Sequence, residues 1–316
     1  MTTRAQEVPY PPIELASRVG SLAEHEDPFG SYDLVGRETR DALVSLLPPD
    51  WSWEGARVLD FGSGAGRTLR HFLDEARLGT FWACDIDRDS IDWVDGNLSP
   101  PFRVFVSGET PPLPFEPSSL DLIYAVSVFT HLAETWSEWL LELHRILAAD
   151  GYLVVTFIGP GAAPYVTDEP WDQSRIGMNV LKPGQSWDLG GPMVVHSPWW
   201  LTARWGRAFD ILKLRLDGFG LPSPEGQGAV LMRKRAIELE PGDLEEPEPG
   251  EPREAVAALN NVRQLIREAT ELRSEIDRAR NERAALAEQV ARMRHSRSWR
   301  LTAPLRRIGR SLRRRR

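Results

Sequence analysis

The chain has 316 residues, 41% of them hydrophobic, with 12 Trp and 11 Phe. That is room for one α/β domain of ordinary size plus extras, and the apolar content suffices for a real core. The lone Cys84 excludes a disulfide framework and a Cys-based zinc site. No run approaches the roughly 20 apolar residues of a membrane span, and "MTTRAQEVPYPP" lacks the apolar stretch of a signal peptide. A cytoplasmic protein is expected. The net charge of −8 is uneven: residues 292–316 hold 11 Arg and no acid, so +11 there leaves −19 for the remaining 291 residues. An acidic body with a basic tail predicts a separate partner for the tail.

In chain order, residues 1–50 read as an N-terminal helical lead-in. "PYPPIELASRVG" is punctuated by Pro, and "GRETRDALVSLLP" has helical spacing at Leu43, Leu46 and Leu47 before a Pro-Pro stop. Residues 51–236 alternate strands and helices. "ARVLDF" reads as a strand, "GRTLRHFLDEA" as a helix and "TFWACDI" as a strand. "DSIDWVDGNL" is a helix, "FRVFVSG" and "LDLIYAVSVF" are strands, and "ETWSEWLLELHRIL" is an amphipathic helix ending at Asp150-Gly151. "GYLVVTFI" is a fifth strand. This rhythm calls for an α/β fold with a parallel sheet covered on both faces.

Residues 159–198 are too rich in Gly and Pro for regular elements and read as a lid or substrate loop. "PWWLTARWGRAF" is a helix, and "DILKLRL" with "QGAVLMRKR" is a closing antiparallel pair. Residues 237–253 form an acidic, Pro-rich linker with almost nothing to bury, expected extended and solvated. Over 254–294 a heptad register places Ala255, Val262, Ala269, Ile276 and Val290 at a, interrupted by Arg283. Ala258, Leu265, Leu272, Ala279, Leu286 and Met293 fall at d. That register predicts a long coiled-coil helix and a homo-oligomer, against a single solvated helix. In the tail, 295–316, Leu301, Leu305, Ile308 and Leu312 form one stripe after Trp299, with Thr302 as cap and Pro304 opening the helix. An anionic membrane surface suits this pattern; non-specific RNA binding by the Arg residues is the competing account.

The chemistry begins at "RVLDFGSGAGRTLRHF". Gly62, Gly64 and Gly66 give G-x-G-x-G, and Arg67 stands where a dinucleotide fingerprint requires its third Gly. Asp60 lies two residues before Gly62. A carboxylate there repels a pyrophosphate but favours an ammonium or sulfonium, so the sign of charge selects a cationic cofactor. Asp85, ending the second strand, suits both hydroxyls of a ribose.

These residues resemble motif I of the class I S-adenosylmethionine-dependent methyltransferases, of the type 11/12 kind. "GETPPLPFEPSSLDLIYAVSVFTHL" and "LHRILAADGYLVVTF" are similar to that family's later strands and turns, and the resemblance covers about residues 30–235. It implies a Rossmann-like, seven-stranded, mostly parallel sheet and S-adenosyl-L-methionine as cofactor. It further implies that Asp60, Gly62, Ser63 and Gly64 line the methionine end. Asp85 would hold the ribose, and Ile86 would pack on the adenine. Glu109, where the family often has Asp, would bond the adenine amine, and Ser127 would complete the pocket. Arg37 reaches the cofactor carboxylate or is a solvated helix residue. "ACDIDRD" also resembles the Asp-x-Asp metal motif of glycosyltransferases, but Asp85 is accounted for by the ribose, so no metal is expected.

Methyl transfer to a hydroxyl needs an aligned nucleophile and a base. His131 in "SVFTHL" and His196 in "MVVHSPWW" are the candidates; helix capping and surface packing are the other readings. Trp171, Trp187, Trp199, Trp200 and Trp205 suit the C–H face of a sugar, or simply pack. The acidic body argues against nucleic acid as acceptor. "SRSWRLTAPLRRIG" after a coiled coil resembles the ends of bacterial glycosyltransferases and methyltransferases that build surface polysaccharides. The expectation is O-methylation of a saccharide or lipid-linked glycan, with the tail placing the enzyme peripherally at the inner membrane face. The alternatives are a non-glycan small-molecule methyltransferase, an inactive scaffold recruiting partners through its coiled coil, and an NAD-linked oxidoreductase.

Overall fold

The computed structural model describes residues 8–19, 25–167, 170–187, 190–220, 226–296 and 299. Contacts divide the chain into two units, residues 1–262 and 263–316.

The first unit is built on a seven-stranded sheet. Its strands are β1 (Arg57–Phe61), β2 (Thr80–Asp85), β3 (Arg103–Val106), β4 (Leu120–Ala125), β5 (Leu147–Phe157), β8 (Phe209–Phe219) and β9 (Gln227–Lys234). They lie in the order β3-β2-β1-β4-β5-β9-β8. The first five are parallel, and β9 and β8 close the edge antiparallel. The apolar runs of the parallel strands have a simple cause: both faces are buried. Leu59, Phe61, Ile123, Leu153, Val155 and Phe157 feed one core cluster, while Val58, Leu122, Tyr124 and Val154 feed the other.

Helices cover both faces. α2 (Pro28–Leu46) and α3 (Arg88–Leu98) bring Leu43, Leu46, Val94 and Leu98 to one side. α4 (Trp136–Ile146) and α6 (Pro198–Ala208) bring Trp139, Leu140, Leu143, Trp200 and Trp205 to the other. Asp27 caps α2 by accepting from Gly30 N at 2.9 Å, with Pro28 at the first helical position. The remaining elements are α1 (Ile13–Ala16), α5 (Ala163–Val166), β6 (Met178–Leu181), β7 (Met193–His196), α7 (Pro241–Glu245) and α8 (Arg253–His295).

Four expectations change. Residues 67–77 are not an α-helix but 3₁₀ turns at Leu69–Phe72 and Glu75–Arg77. They are held tightly between α2 and the sheet: a Cβ on Gly36 of α2 would lie 2.2 Å from the Arg67 carbonyl oxygen. The fourth helix stops at Ile146 rather than at Asp150-Gly151, because the strand starts at Leu147 and bulges before resuming its register at Tyr152. Residues 159–198 are not irregular throughout. β6 and β7 pair antiparallel, because Leu181 and Val195 alternate toward a small core with Ile158 and Ala163.

The linker is the fourth. It contains α7, closed by a reciprocal cap between Glu240 and Asp243, and it buries Leu244 completely in the core under α4 and α6. The body therefore extends past residue 236. Leu239 packs on the same core from the residue before the cap, so two leucines anchor this acidic stretch.

In the second unit α8 continues as helix through His295, with Ile266, Leu272, Ile276, Leu286, Val290 and Met293 exposed. The tail stripe of Leu301, Leu305, Ile308 and Leu312 lies outside the described residues.

Leu244→Ala is expected to destabilise the protein by about 2–5 kcal/mol in urea unfolding, the usual range for emptying a closed core site. A change near zero would restore the solvated linker.

Candidate functional site

The sheet order reverses between β1 and β4, the crevice where open α/β sheets bind ligands at their C-terminal strand ends. Asp60 and the glycine loop leave β1 there, Asp85 ends β2, and Ser127 and His131 follow β4. Glu109 follows the end of β3, parallel to β2, on the same edge, whereas Arg37 lies on α2 and His196 ends β7.

The glycine loop is shaped by its neighbours. Gly62 has φ +84°, and a Cβ there would sit 2.2 Å from Val128 Cγ2. Any larger residue both strains the backbone and pushes Val128, so the loop and the segment after β4 fit together only through glycine. Gly62 and Ser63 donate to the Cys84 carbonyl oxygen at 2.8 and 3.0 Å, binding the loop to the end of β2. From below, the buried Tyr32 hydroxyl donates to the Ala65 carbonyl oxygen at 3.0 Å.

Asp85 is fixed at both oxygens. Oδ2 accepts from Gly64 N at 2.7 Å and Oδ1 from Asp87 N at 2.9 Å. Each oxygen keeps a second lone pair, so the carboxylate can still accept two hydroxyl donors. Burial leaves its pKa raised, with those two backbone N–H groups offsetting only part of the shift. Asp60 is only 3% exposed. Burial pushes its carboxyl up to about 8; the Tyr124 hydroxyl offsets part of this and the Asp85 charge adds to it. Two acids at one crevice, with no basic side chain among the described residues lowering the Asp60 pKa, leave a place for a positive charge.

Ser127 adopts φ +61°; its N–H donates to Thr156 Oγ1 at 2.7 Å, and its Oγ accepts from Gln227 Nε2 at 3.0 Å. Four residues on, His131 Nδ1 lies 2.9 Å from the Pro192 carbonyl oxygen. A carbonyl only accepts, so Nδ1 carries the proton and Nε2 keeps its lone pair. Burial lowers the imidazole pKa against the opposing effect of that carbonyl, which keeps the ring neutral at pH 7.

The other candidates are placed differently. His196 is wholly buried between Trp200 and Trp205, at ring distances of 5.4 and 5.6 Å. Burial takes its pKa to about 3. It touches no solvent, which leaves His131 as the accessible one of the two candidate bases. Arg37 is exposed on α2, 3.7 Å from Asp33. Glu109 is exposed, and its backbone oxygen accepts from Trp139 Nε1 at 3.2 Å, which fixes the turn rather than the carboxylate. Ile86 is half-buried beside Asp85. Of the five tryptophans, Trp199, Trp200 and Trp205 pack in the core, Trp171 borders a satellite cluster, and Trp187 is 45% exposed.

Sequence reasoning missed the contacts made by distant partners. Arg18, from the segment after α1, pairs with Asp87 and lies 3.4 Å from Asp89, tying the N-terminal segment to the turn after Asp85. Burial alone would raise the Asp87 pKa; the Arg18 guanidinium and the Ser90 hydroxyl bring it below its ordinary value. The Asp-x-Asp pair is thus divided between a backbone clamp and an ion pair. Nothing in the sequence couples Arg18 to position 87, or Pro192 to His131.

The residues present fit S-adenosylmethionine. Asp85 offers free lone pairs for the ribose, the loop offers backbone held open by glycine, and Asp60 suits a cationic centre. Below about pH 8 the free site holds Asp60 neutral, and a bound cation favours its carboxylate, so binding releases a proton. Affinity for S-adenosylmethionine is therefore expected to rise from about pH 6 toward 8 and level off above. Calorimetry in two buffers of different ionisation enthalpy reads that proton, and Asp60→Asn should abolish it. A wild-type profile with no proton release would overturn the charge assignment.

Comparison with known proteins agrees. Residues 59–155 match the family model described as a methyltransferase domain. The chain is 29% identical over 106 residues to phthiotriol/phenolphthiotriol dimycocerosates methyltransferase 1 of Mycobacterium ulcerans, covering 34% of this chain and 39% of that protein. It is 29% identical over 107 residues to fatty-acid O-methyltransferase of Mycolicibacterium smegmatis, again 34% and 39%. The chain thus spans about two fifths of the length of these relatives. Among solved structures, an S-adenosylmethionine-dependent methyltransferase from Aquifex aeolicus is similar at TM-score 0.41 and 18% identity, over 63% of this chain and 92% of that one. The glycopeptide N-methyltransferase MtfA complexed with S-adenosyl-L-methionine is similar at 0.47 and 10%, over 63% and 94%. Residues 59–155, which carry the glycine loop, Asp85 and His131, match a methyltransferase domain, and S-adenosylmethionine is the cofactor their side chains fit.

Proposed function

We propose that the whole chain is an S-adenosylmethionine-dependent O-methyltransferase acting on a saccharide or lipid-linked glycan in surface polysaccharide synthesis. The observation that carries the O-methyl reading is His131. Its Nδ1 is committed to the Pro192 carbonyl, so Nε2 is a neutral, unprotonated base. The turn that begins at Val128 seats it next to the glycine loop, since Val128 packs on Gly62 and His131 N donates to the Val128 oxygen at 2.9 Å. S-adenosylmethionine, when bound, supplies a methyl carbon activated by a sulfonium. His131 Nε2 takes the proton of the acceptor hydroxyl as that oxygen becomes nucleophilic. Asp60 balances the positive charge at the methionine end, and Asp85 holds the ribose.

The saccharide acceptor is supported by the exposed Trp187 on the lid and by the acidic body, which disfavours nucleic acid. A second reading, a lipid acceptor, is favoured by the two mycobacterial relatives, a dimycocerosates methyltransferase and a fatty-acid O-methyltransferase. Exposed Leu272, Ile276, Leu286 and Val290 on α8 support self-association of this chain through that helix. Attachment of the Arg-rich tail to an anionic membrane face completes the reading.

Calorimetry with S-adenosylmethionine, with NAD as control, tests the cofactor, and methyl-transfer assays with oligosaccharides and with fatty acids decide the acceptor. His131→Ala is expected to lower turnover by about 10²- to 10⁴-fold while cofactor affinity stays unchanged. Equal turnover would remove His131 as base. The double variant Ile276→Glu with Leu286→Glu is expected to sediment as monomer where the wild type is an oligomer. A monomeric wild type would sink the coiled coil.

A further inference from the structure

A cavity of about 430 Å³ opens beyond the catalytic turn, within the size range of small-molecule sites. Its lining includes Glu134, three residues after His131, with Trp136 of α4, Met178 of β6, Trp200 and Arg204 of α6, and Glu245 of α7. The methyltransferase machinery described above uses none of them.

The hydrogen-bonding demands of these groups are opposite in kind. Glu134 and Glu245 are exposed carboxylates and can only accept. Ser137 Oγ occupies Glu245 Oε1 at 2.5 Å and leaves Oε2. Arg204 can only donate. It is 4% exposed, and its Nη2 reaches Glu254 Oε1 and Oε2 at 2.7 and 2.8 Å. Its Nε and Nη1 have no partner among the described residues, although buried donors in native proteins nearly always have one. The apolar wall is aromatic: Trp136 and Trp200 meet edge to face with ring centres 4.9 Å apart.

Three ligand classes fail this pattern. An anion meets two carboxylates. A cation meets the Arg204 guanidinium and gives its N–H groups nothing to donate to. An alkyl chain satisfies neither sign of demand. A hydroxyl donates and accepts at once, and a ring of hydroxyls on an apolar C–H face also suits an indole wall. We infer that this cavity is a pyranose subsite, in which Glu134 and Glu245 accept from sugar hydroxyls and Arg204 donates to them. The inference deepens the saccharide reading above and rests on it for the link to methyl transfer. It makes Arg204, Glu134 and Glu245 specificity residues, and the cavity the place for a sugar residue of the acceptor chain.

The test uses the full chain. Methyl glucoside, mannoside and galactoside are titrated by saturation-transfer NMR and Trp fluorescence, with tetramethylammonium and octanoate as cationic and lipid probes. The same samples are titrated with S-adenosylmethionine. At least one pyranoside is expected to bind, and Glu245→Gln and Arg204→Lys should each weaken it about tenfold without changing cofactor affinity. Glu245 is exposed, so its variant stays informative should the Arg204 change disturb the fold. Pyranosides that bind no better than octanoate or tetramethylammonium, or that ignore Glu245→Gln, overturn the inference while intact cofactor binding leaves the methyltransferase reading standing. Variant-sensitive sugar binding without cofactor binding supports the subsite and overturns the methyltransferase reading.

Discussion

The rest of the site depends on one uncomfortable group: the Asp60 carboxyl, buried at the end of the central strand. Burial, with a smaller push from the nearby Asp85 charge and against the Tyr124 hydroxyl, raises its pKa to about 8. A protein interior tolerates such an acid when it is neutral or when a positive charge comes to it. Every neighbouring feature supplies the second condition. The loop is held open by glycine, so a ligand can approach the backbone, and Asp85 is braced by two N–H groups, so it need not move to receive one. A dinucleotide pyrophosphate would put negative charge against Asp60. The sulfonium-bearing cofactor does the reverse.

Placement of the chemistry follows from the switch point. Gly62 and Val128 come from the first and fourth strands, and their contact leaves no room for a side chain on Gly62. The position of His131 is therefore set relative to the glycine loop by packing rather than by the covalent chain. A second clamp, from Thr156 and Gln227 to Ser127, brings β5 and β9 into the same turn. The antiparallel closing pair thus contributes to the site as well as to the edge of the sheet. Rigid elements on several sides are what would hold His131, as the proposed base, within the small tolerance that proton transfer requires.

What the sequence made legible was the part written in local patterns. Strands with both faces buried read as apolar runs, and the G-x-G-x-G loop with Asp60 and Asp85 states its charge preference outright. The segment after the loop was misread because its apolar spacing is helical, whereas its winding is fixed by Gly36 of α2 pressing on the Arg67 carbonyl. A histidine beside a lid has the local pattern of a base, and the burial of His196 between two tryptophans is a tertiary fact no local pattern carries. Arg18 and Pro192 act across 69 and 61 residues, and no local pattern foretells such pairs. Composition is a poor guide at residues 237–253, where Leu239 and Leu244 pack on the core among acidic neighbours.

The second of these leucines links stability to recognition. Leu244 is fully buried beneath α4 and α6, and Glu245, the next residue on the same turn, faces the cavity beside Trp200 and Arg204. The reciprocal Glu240–Asp243 cap sets the turn, so the inserted side chain and the outward carboxylate keep a fixed phase about the helix axis. Arg207 of α6 adds bonds from Nη1 to the Glu246 oxygen at 2.9 Å and from Nη2 to Glu248 at 2.8 Å, holding the stretch down. Arg204, one turn earlier, reaches Glu254 at the start of α8. An acidic sequence anchored by Leu239 and Leu244 thereby becomes a wall of the cavity. Several of the acids that make it look like a solvated spacer help to fasten it: Glu240 and Asp243 cap the turn, Glu248 pairs with Arg207 of α6, and Glu245 accepts from Ser137 while its second oxygen faces the cavity.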